Sequence, residues 1–368
     1  MGASTAYHLA ARGLTNIVLL EREAYLGQGA TGRCAGGVRY QFATEINIQL
    51  SRVSLPMLER FPEEIGQEVN YRKCGYLFVL TDEQDIPQFR HNLELQNQLG
   101  LGTEWLSGDE IRRRLPSMHF EDALAGTFNP RDGLVDPNSV VLGYSRAALG
   151  MGVQVFNQTE VLSIEVENER VAGVGTNSGS IQTRCVINAA GPWASQIGNM
   201  AGLQIPVQAI RRQMFTTTAL PDLPVDFPFV IDFTQSLYLH REGIGLLIGM
   251  SNQKEKAGYD QSVDPEFELV NLEAAARRMP ALENVRRASH WAGLYEVTPD
   301  AHPIYGPTDV DGFLLVAGFS GHGFMHGPVS GKLMAEYVLD GSFQSVNVAA
   351  LDLARFAEGR AIQEYNVV

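Results

Sequence analysis

The stretch Gly318-Phe-Ser-Gly-His-Gly-Phe-Met-His326 decides the fold that the sequence predicts. It follows the apolar run Phe313–Ala317, which predicts a strand, and it opens the predicted helix Val329–Leu339. Glycines 318, 321 and 323 carry no side chains, so a flat ligand can lie against the backbone of this strand-to-helix turn. The amides of the helix N-terminus would face that ligand and stabilise negative charge on it. A flavin, which gains negative charge at its N1–C2=O edge on reduction, suits this geometry.

Composition limits the classes of protein to consider. The chain has 368 residues, of which 45% are hydrophobic and 19% charged, as in an ordered globular protein of two domains. Its net charge of 28 − 42 = −14 argues against nucleic acid or an anionic membrane surface as a partner. The longest apolar runs, such as Phe313–Phe319, are too short to span a membrane.

The cysteines and the first residues predict the compartment. Cys34, Cys74 and Cys185 are odd in number and widely spaced, which predicts reduced thiols. Met1–Arg12 lacks the features of a secretory signal. A cytoplasmic location is therefore expected.

The N-terminal segment predicts part of a dinucleotide site. Met1–Ala11 predicts a helix and Thr15–Leu20 a buried strand. Glu21 follows that strand, nineteen positions after Gly2, close to the spacing at which an acidic residue meets the ribose in a Rossmann-type site. Gly2 would then be the last glycine of G-x-G-x-x-G, with the first strand and first two glycines about ten residues upstream of residue 1. The alternative is that Gly2 begins an ordinary helix.

A second glycine-rich segment, Gly27–Val38, has five glycines and no long apolar period. Such a loop lets the backbone approach phosphate or flavin closely, and Arg33 can add positive charge. The alternative is a bland surface loop. The ligand-binding residues predicted in this segment are Ala30, Thr31, Gly32, Arg33, Gly36 and Gly37.

These motifs closely resemble the flavin-binding segments of the D-amino-acid-oxidase-like FAD-dependent oxidoreductases, in the sarcosine oxidase β subunit and proline dehydrogenase branch. The chain is also similar to the mitochondrial FAD-dependent oxidoreductase-domain proteins linked to complex I assembly. The resemblance implies FAD, bound non-covalently, as the cofactor. It covers most of the chain and includes, in family order, Glu21-Arg22, Gly32–Arg39, Cys74-Gly-Tyr-Leu77, Asn188-Ala-Ala-Gly-Pro-Trp193, Trp291-Ala-Gly-Leu-Tyr295, Asp300-Ala-His-Pro303 and Gly318–Met325.

The predicted fold class is α/β (α+β mixed). Residues 1–61, 138–205 and 292–368 would form a Rossmann-type FAD-binding domain, and residues 62–137 and 206–291 a discontinuous substrate domain. Alternating runs such as Tyr76–Leu80 and Leu246–Met250 predict a mostly antiparallel sheet in the substrate domain. Helices at Gln84–Leu99 and Phe267–Arg278 would cover this sheet.

The resemblance assigns further cofactor contacts. It places the backbone of Val161 against the adenine, and the turn after the predicted strand Ile181–Ala189 lies at a strand's carboxyl end, where cofactors bind in open α/β sheets. Trp193 in that turn either lines the cofactor or packs in the core. The other predicted cofactor residues are Gly2, Glu21, Arg22, Ala190, Gly191, Gly293, Gly318, Gly321, His322, Gly323, Phe324 and Met325.

The predicted catalytic residues are Arg39, Tyr238 and His322. Arg39 matches a substrate-carboxylate position of the family, and an arginine fork binds a carboxylate bidentately. Its alternative is a buried arginine paired with Glu45 or Asp300. Tyr238 either presents its hydroxyl to the substrate or lies exposed on its strand. His322 would brace the flavin, and no recognisable third ligand supports a metal site.

Three positions depart from the monomeric sarcosine oxidase pattern. Gly293 replaces a flavin-linked cysteine, Leu247 replaces a lysine that activates oxygen, and Met325 replaces a lysine that holds the substrate carboxylate. With no cation expected beside the flavin, a dehydrogenase is favoured over a free-standing oxidase. The pairs Arg211-Arg212 and Arg286-Arg287 are interpreted as solvated faces rather than subunit contacts.

The predicted function is an FAD-dependent oxidoreductase acting on CH–NH bonds. It would remove hydride from the C–H next to nitrogen of a secondary or N-methylated amino acid of the sarcosine, dimethylglycine or proline class. A small amino acid is the expected substrate, and an electron-accepting protein subunit is a candidate partner. The alternative is a weakly catalytic flavoprotein scaffold or assembly factor for a larger redox complex. Retained Arg39 favours catalysis, whereas loss of both lysines favours the alternative.

Overall fold

The computed structural model describes residues 1–367. The α-helices are α1 (Gly2–Ala11), α2 (Glu45–Glu59), α3 (Phe61–Ile65), α4 (Ile86–Gln98), α5 (Gly108–Arg114), α6 (Pro137–Gly150), α7 (Ala194–Met200), α8 (Pro265–Arg278) and α9 (Gly323–Asp340). The strands are β1 (Val18–Leu20), β2 (Gly37–Val38), β3 (Tyr76–Leu80), β4 (Glu104–Ser107), β5 (Ala125–Asn129), β6 (Gly133–Leu134), β7 (Gln154–Phe156), β8 (Val161–Glu167), β9 (Arg170–Thr176), β10 (Gly179–Gln182), β11 (Val186–Asn188), β12 (Gln208–Thr217), β13 (Phe229–Asp232), β14 (Leu237–Glu242), β15 (Gly245–Met250), β16 (Arg287–Val297), β17 (Ile304–Pro307) and β18 (Phe313–Ala317). Among these helices none is long and apolar enough to cross a membrane.

An eight-stranded sheet in the order β16-β12-β15-β14-β13-β3-β5-β4 is the largest layer. Its pairs are antiparallel except β13 with β3. The strands come from residues 76–129 and 208–297. The predicted domain boundaries stay a prediction. Strand β16 crosses the boundary predicted between residues 291 and 292, so the large sheet also contains residues assigned to the FAD-binding domain.

The two faces of this sheet have different neighbours because side chains alternate along each strand. One face, with Leu77, Phe215 and Ile248, packs against α5 and α8 in an apolar core. The opposite face carries larger aromatic and polar side chains, such as Phe229 and Tyr238, and forms one wall of the main cavity.

The rest of the chain carries short parallel strand pairs next to helices. β1 pairs with β7 and β11 with β18, both in parallel, and β17 joins β18 in antiparallel. A Cβ on Gly2 would lie 3.1 Å from Leu19 and 4.0 Å from Ala189, so the start of α1 lies between the two pairs. Helix α1 also packs closely on α9, since a Cβ on Gly331 would lie 2.1 Å from the Ser4 hydroxyl. These layers, together with the large mixed sheet, confirm the predicted fold class.

Several predicted elements have different bounds in the structure, and two of these differences affect the cavity. The strand predicted at Ile181–Ala189 is divided into β10 and β11, because the Thr183 hydroxyl bonds both the amide (3.2 Å) and the carbonyl (3.0 Å) of Cys185 and turns the chain. Helix α9 begins at Gly323, ahead of Pro328, rather than at Val329. A proline removes one helical hydrogen bond, and here it is tolerated inside the helix. The N-terminus of α9 therefore lies directly beside the glycine turn.

Candidate active site

A cavity of about 720 Å³ lies between the large sheet and helices α1 and α9. The start of both helices, the glycine-rich segment 27–37 and the residues that follow β1 and β11 also contribute to its walls. The volume is in the range of small-molecule and cofactor sites. Two helix N-termini therefore present unpaired amides and positive dipole ends to one cavity.

The turn between β18 and α9 is held by Glu296 on β16. The Gly318 amide donates to the Glu296 carboxylate (3.0 Å), and the Ser320 amide donates to the Glu296 carbonyl (2.9 Å). Gly321 has a φ of +97°, and a Cβ there would lie 2.4 Å from the Tyr295 ring, so this position requires glycine. The result is a bare backbone turn that faces the cavity.

His322 precedes the first turn of α9 and lines the cavity. Its side chain is 1% exposed, and neither ring nitrogen has a hydrogen-bond partner among the described residues. Burial, with smaller contributions from His326 and Arg39, lowers the pKa of His322 well below its ordinary value, so the ring is neutral. A buried imidazole without partners is costly, so a ligand that bonds it would be stabilised.

Arg39 lies in the cavity wall with its guanidinium buried. It donates to the backbone carbonyls of Gln41 and Asn366 and stacks over the Phe42 ring at 4.0 Å. A guanidinium has five N–H donors, so three remain without a protein acceptor within residues 1–367. The alternative pairing of Arg39 with Glu45 or Asp300 is wrong: Glu45 is exposed, and the carboxylate of Asp300 binds Arg355.

Residues 362–367, which we call the tail segment, return to Arg39. The Asn366 carbonyl accepts a hydrogen bond from the guanidinium, and Val367 lines the cavity. Glu364, 1% exposed, anchors this segment by accepting hydrogen bonds from the amides of Ala43 (2.8 Å) and Thr44 (3.2 Å), the Thr44 hydroxyl (2.8 Å), and the Asn47 side chain (3.0 Å). The tail segment thus orients Arg39.

The large sheet supplies the opposite wall. Tyr238 on β14 is buried and lines the cavity, so the alternative of an exposed strand tyrosine is wrong. Arg212 on β12 also lines the cavity, which corrects its interpretation as part of a solvated face. Leu247 does not line the cavity, because it is buried with Met214 and Tyr238 in an apolar cluster. Two cations, Arg39 and Arg212, thus line the cavity, and only the first of them was expected from the sequence.

A second group of predicted residues lies around the ends of β1 and β11. Glu21 follows β1 and accepts a hydrogen bond from the Glu23 amide (2.9 Å), and burial raises its pKa above the ordinary value. Trp193 is partly buried rather than in the core, with the Arg22 guanidinium 4.4 Å from its ring and the Tyr259 ring stacked at 6.0 Å. Trp193 and Arg22 thus form part of the cavity wall beside Gly191.

Most of the predicted site residues line this one cavity: Gly2, Glu21, Arg22, Ala30, Thr31, Arg33, Gly36, Gly37, Arg39, Val161, Ala190, Gly191, Trp193, Tyr238, Gly293, Gly321, His322, Gly323, Phe324 and Met325. Gly32 and Gly318 do not. A Cβ on Gly32 would lie 2.2 Å from the Gly27 carbonyl oxygen, and one on Gly318 would lie 2.4 Å from Thr298, so these glycines shape turns instead. The Arg33 guanidinium donates to the Ala292 carbonyl (2.8 Å). The roles of the lining residues stay predictions.

A sequence model described as FAD dependent oxidoreductase matches residues 1–337. The chain belongs to this family. Human mitochondrial sarcosine dehydrogenase is 31% identical over 372 residues, covering 97% of this chain and 40% of that protein. FAD-dependent oxidoreductase domain-containing protein 1 of Xenopus laevis is 27% identical over 100% of this chain and 83% of its own length. The chain therefore spans well under half of the mitochondrial dehydrogenase.

A solved structure of this family has the same fold over almost the whole chain. The crystal structure of L-proline dehydrogenase from P. horikoshii superimposes with a TM-score of 0.89 and 32% identity, covering 97% of this chain and 95% of that one. The resemblance inferred from the sequence motifs is thereby confirmed, and FAD is the cofactor of this family.

The cavity of this FAD-dependent oxidoreductase fits the cofactor. The glycine turns leave backbone where a Cβ would collide, two helix N-termini can hold phosphate and the flavin edge, and His322 offers unpaired ring nitrogens. We expect Glu21, Gly2 and the 189–193 turn to hold the adenosine diphosphate half. When bound, FAD supplies the hydride acceptor.

Sequence reasoning missed Glu296, Arg212 and the tail segment. Glu296 directly follows the wall residues Leu294 and Tyr295 on β16, and no local pattern marks it as functional. Arg212 could have been found from strand alternation, since it is two residues before the inward-facing Met214. No periodicity or motif in the run Ile362–Asn366 marks it as part of the site.

Glu296 makes the stability of the protein depend on pH. Burial raises its pKa from its ordinary value near 4.5 to about 7. Between these values the folded protein holds a proton that the unfolded chain has lost, so this stabilising contribution is complete below about pH 4.5 and is lost as pH rises through about 7. We expect the free energy of unfolding of wild type, measured in urea, to fall by about 1 to 3 kcal/mol relative to that of Glu296→Gln between pH 5 and pH 8.

The exposed Glu45→Gln variant is the control for this comparison, because it changes charge equally and should track wild type at both pH values. Other shifted groups, such as Asp132, are common to all three proteins and cancel in the difference. Parallel pH profiles for wild type and Glu296→Gln would contradict the prediction.

Proposed function

We propose that this chain is an FAD-dependent amine oxidoreductase that takes hydride from the C–H next to nitrogen of a secondary or N-methylated amino acid. The observation that carries the proposal is Arg39. Its buried guanidinium faces the cofactor cavity with three N–H donors and, within residues 1–367, no carboxylate partner. A substrate carboxylate would satisfy these donors bidentately.

The named relatives support the substrate class. Human sarcosine dehydrogenase and rat dimethylglycine dehydrogenase are named for N-methylated amino acids, and the latter is 30% identical over 93% of this chain. The P. horikoshii structure is named for L-proline. In each of these compounds the nitrogen carries at least one carbon substituent besides Cα and the molecule ends in one carboxylate. We propose the same class for this chain.

Residues of the cavity would orient and enclose such a substrate. Arg39 fixes the carboxylate, while Met214 and Phe229 offer apolar surface to the substrate carbons. The neutral ring of His322 can donate or accept a hydrogen bond without adding charge beside the flavin turn. Orienting the Cα–H in a water-poor site is the main demand on the protein, because the cofactor carries the redox chemistry.

We further propose that the reduced protein passes electrons to a dye-like or protein acceptor rather than rapidly to oxygen. The support is that the named relatives at 30% identity or more are dehydrogenases. An electron-accepting protein would then be the partner, and the cytoplasm stays the predicted location. The scaffold alternative is less favoured, because a scaffold has no use for a buried cation facing the cavity.

Anaerobic reduction tests both parts of this proposal. Sarcosine, dimethylglycine and proline are added in turn to the FAD-loaded protein, and we expect at least one of them to bleach the visible absorbance of the oxidised flavin. Alanine and acetate serve as controls that lack the N-alkyl group or the amine. Air or an artificial dye is then admitted in a stopped-flow instrument, and the dye should reoxidise the flavin faster. Bleaching by none of the three amino acids would sink the enzyme assignment.

A further inference from the structure

Two arginines, rather than one, face the cavity without an acidic partner. Arg212 lines it from β12, and its Nε atom is buried without a hydrogen-bond partner among the described residues. One of its terminal nitrogens donates to the Arg211 carbonyl (3.0 Å), and its guanidinium lies 5.2 Å from the Tyr295 ring centre. The Tyr295 ring also packs against Gly321. The neighbouring His322 ring lies 5.3 Å from the Phe42 ring, over which Arg39 is stacked. Both guanidiniums therefore belong to the same part of the cavity.

The acidic residues beside this part of β12 pair with Arg211 rather than with Arg212. Adjacent residues of a strand point to opposite faces, so Arg211 points away from the cavity. It pairs there with Glu255 (3.1 Å), Asp260 (2.8 Å) and Asp264 (3.9 Å). Arg212 has no carboxylate within 4.0 Å in residues 1–367, although burial costs a guanidinium solvation free energy. A ligand would supply the missing anion.

The cofactor is a poor source of that anion. Its phosphates are expected at the N-terminus of α1 and beside the turn after β11, which are different walls from the large sheet. The oxidised flavin ring carries no net charge. A single substrate carboxylate can neutralise Arg39, which leaves Arg212 without a counter-charge.

We propose that Arg212 is a second anion-binding residue of the substrate site, and that the preferred substrate is an N-alkylated amino acid with two carboxylates. The oxidation of such a substrate rests on the proposed function, whereas the binding of two carboxylates does not. One carboxylate binds Arg39 and the other binds Arg212, while the Cα–H is presented to the cofactor between them.

Equilibrium binding tests the proposal without turnover. Isothermal titration of the FAD-loaded protein with glutarate and succinate, against the monocarboxylate butyrate, measures whether two carboxylates bind better than one. We expect the best dicarboxylate to bind about 30-fold or more tightly than butyrate, and Arg212→Met to remove that difference while changing butyrate binding little. Arg212→Lys should retain part of it, and the exposed Arg286→Met is the matched control.

Turnover then gives the substrate class. N-methylaspartate and N-methylglutamate should show a higher kcat/KM than sarcosine or N-methylalanine in wild type, and this preference should vanish in Arg212→Met. Equal binding of glutarate and butyrate by wild type would overturn the proposal, and that comparison decides it even if Arg212→Met fails to fold. The proposal would also be overturned if Arg212→Met lowered the affinity for butyrate as much as the affinity for the dicarboxylates. If dicarboxylates bind through Arg212 but no amino acid reduces the flavin, the proposed reaction fails and the anion site stands.

Discussion

Replacing Arg39 with methionine is expected to lower kcat/KM for the amino acid substrate by about 2 to 4 kcal/mol, roughly 30- to 1,000-fold, while FAD stays bound. The loss arises because the three free donors of this buried guanidinium bind the substrate carboxylate, and a thioether cannot replace them. The effect should appear in KM for ground-state binding and also in kcat, since the carboxylate fixes the position of the reacting carbon.

The measurement is anaerobic flavin reduction at subsaturating substrate, with cofactor content taken from the ratio of flavin to protein absorbance. Arg131→Met is the matched control, because Arg131 is exposed and lies over Tyr40 outside the cavity. Arg39→Lys keeps the charge but loses the fork, so it should recover only part of the activity. Reduction of Arg39→Met at the wild-type rate would show that the carboxylate binds elsewhere.

The strands that the sequence predicted most accurately are those with strong local signals. Tyr76–Leu80 and Phe313–Ala317 have the predicted bounds, because each is an apolar run buried on both faces and preceded by a glycine that ends the previous segment. The start of α9 was predicted too late, since a proline breaks most helices. Here the Pro328 carbonyl accepts a hydrogen bond from the Ser4 hydroxyl, and the next amide, that of Val329, donates to Ser54.

The glycine turns and the Glu21 position could be predicted because a cofactor demands particular residue types at short spacings. The other half of the site depends on contacts that no local pattern encodes. Glu364 bonds Ala43 across 321 positions of sequence, and only the fold shows that this holds Asn366 beside Arg39. Arg212 was placed on a solvated face because two consecutive arginines look like surface, whereas strand alternation sends one of them inward.

Arg355→Met should be the most destabilising of the substitutions considered, by about 3 to 5 kcal/mol at pH 7. Arg355 is completely buried, with Nε and Nη2 on the two carboxylate oxygens of Asp300 at 2.8 and 3.0 Å, and it also donates to three backbone carbonyls. Removing it leaves the Asp300 charge buried and uncompensated. The exposed Arg360→Met, which loses ion pairs with Asp352 and Glu358, is the control and should unfold like wild type.

The pH dependence of this variant separates charge from lost packing. Burial acts to raise the pKa of Asp300, but the hydrogen bonds and charge of Arg355 outweigh it and lower that pKa in wild type. The pair therefore stabilises the fold above the ordinary pKa of an aspartate and loses this contribution as pH falls through the folded value. Without Arg355 the pKa of Asp300 rises, so the folded variant takes up a proton there as the pH falls. The difference in the free energy of unfolding between wild type and Arg355→Met, measured in urea, should therefore be smaller at pH 5 than at pH 7. Adding Asp300→Asn to this variant should recover part of the lost free energy of unfolding. A loss that depends neither on pH nor on Asp300 would show that Arg355→Met removes packing alone.

The same variant should also weaken the substrate site, although Arg355 does not line the cavity. Asp300 accepts a hydrogen bond from the Ile362 amide (3.3 Å), and its carbonyl accepts one from the Glu364 amide (3.1 Å). The tail segment is thus fixed to the Asp300–Arg355 pair at one end and to Arg39 at the other, through Asn366. Under conditions where Arg355→Met remains folded, its KM should rise with cofactor content unchanged. An unchanged KM would mean that Glu364 and its four partners hold the tail segment without help from this ion pair.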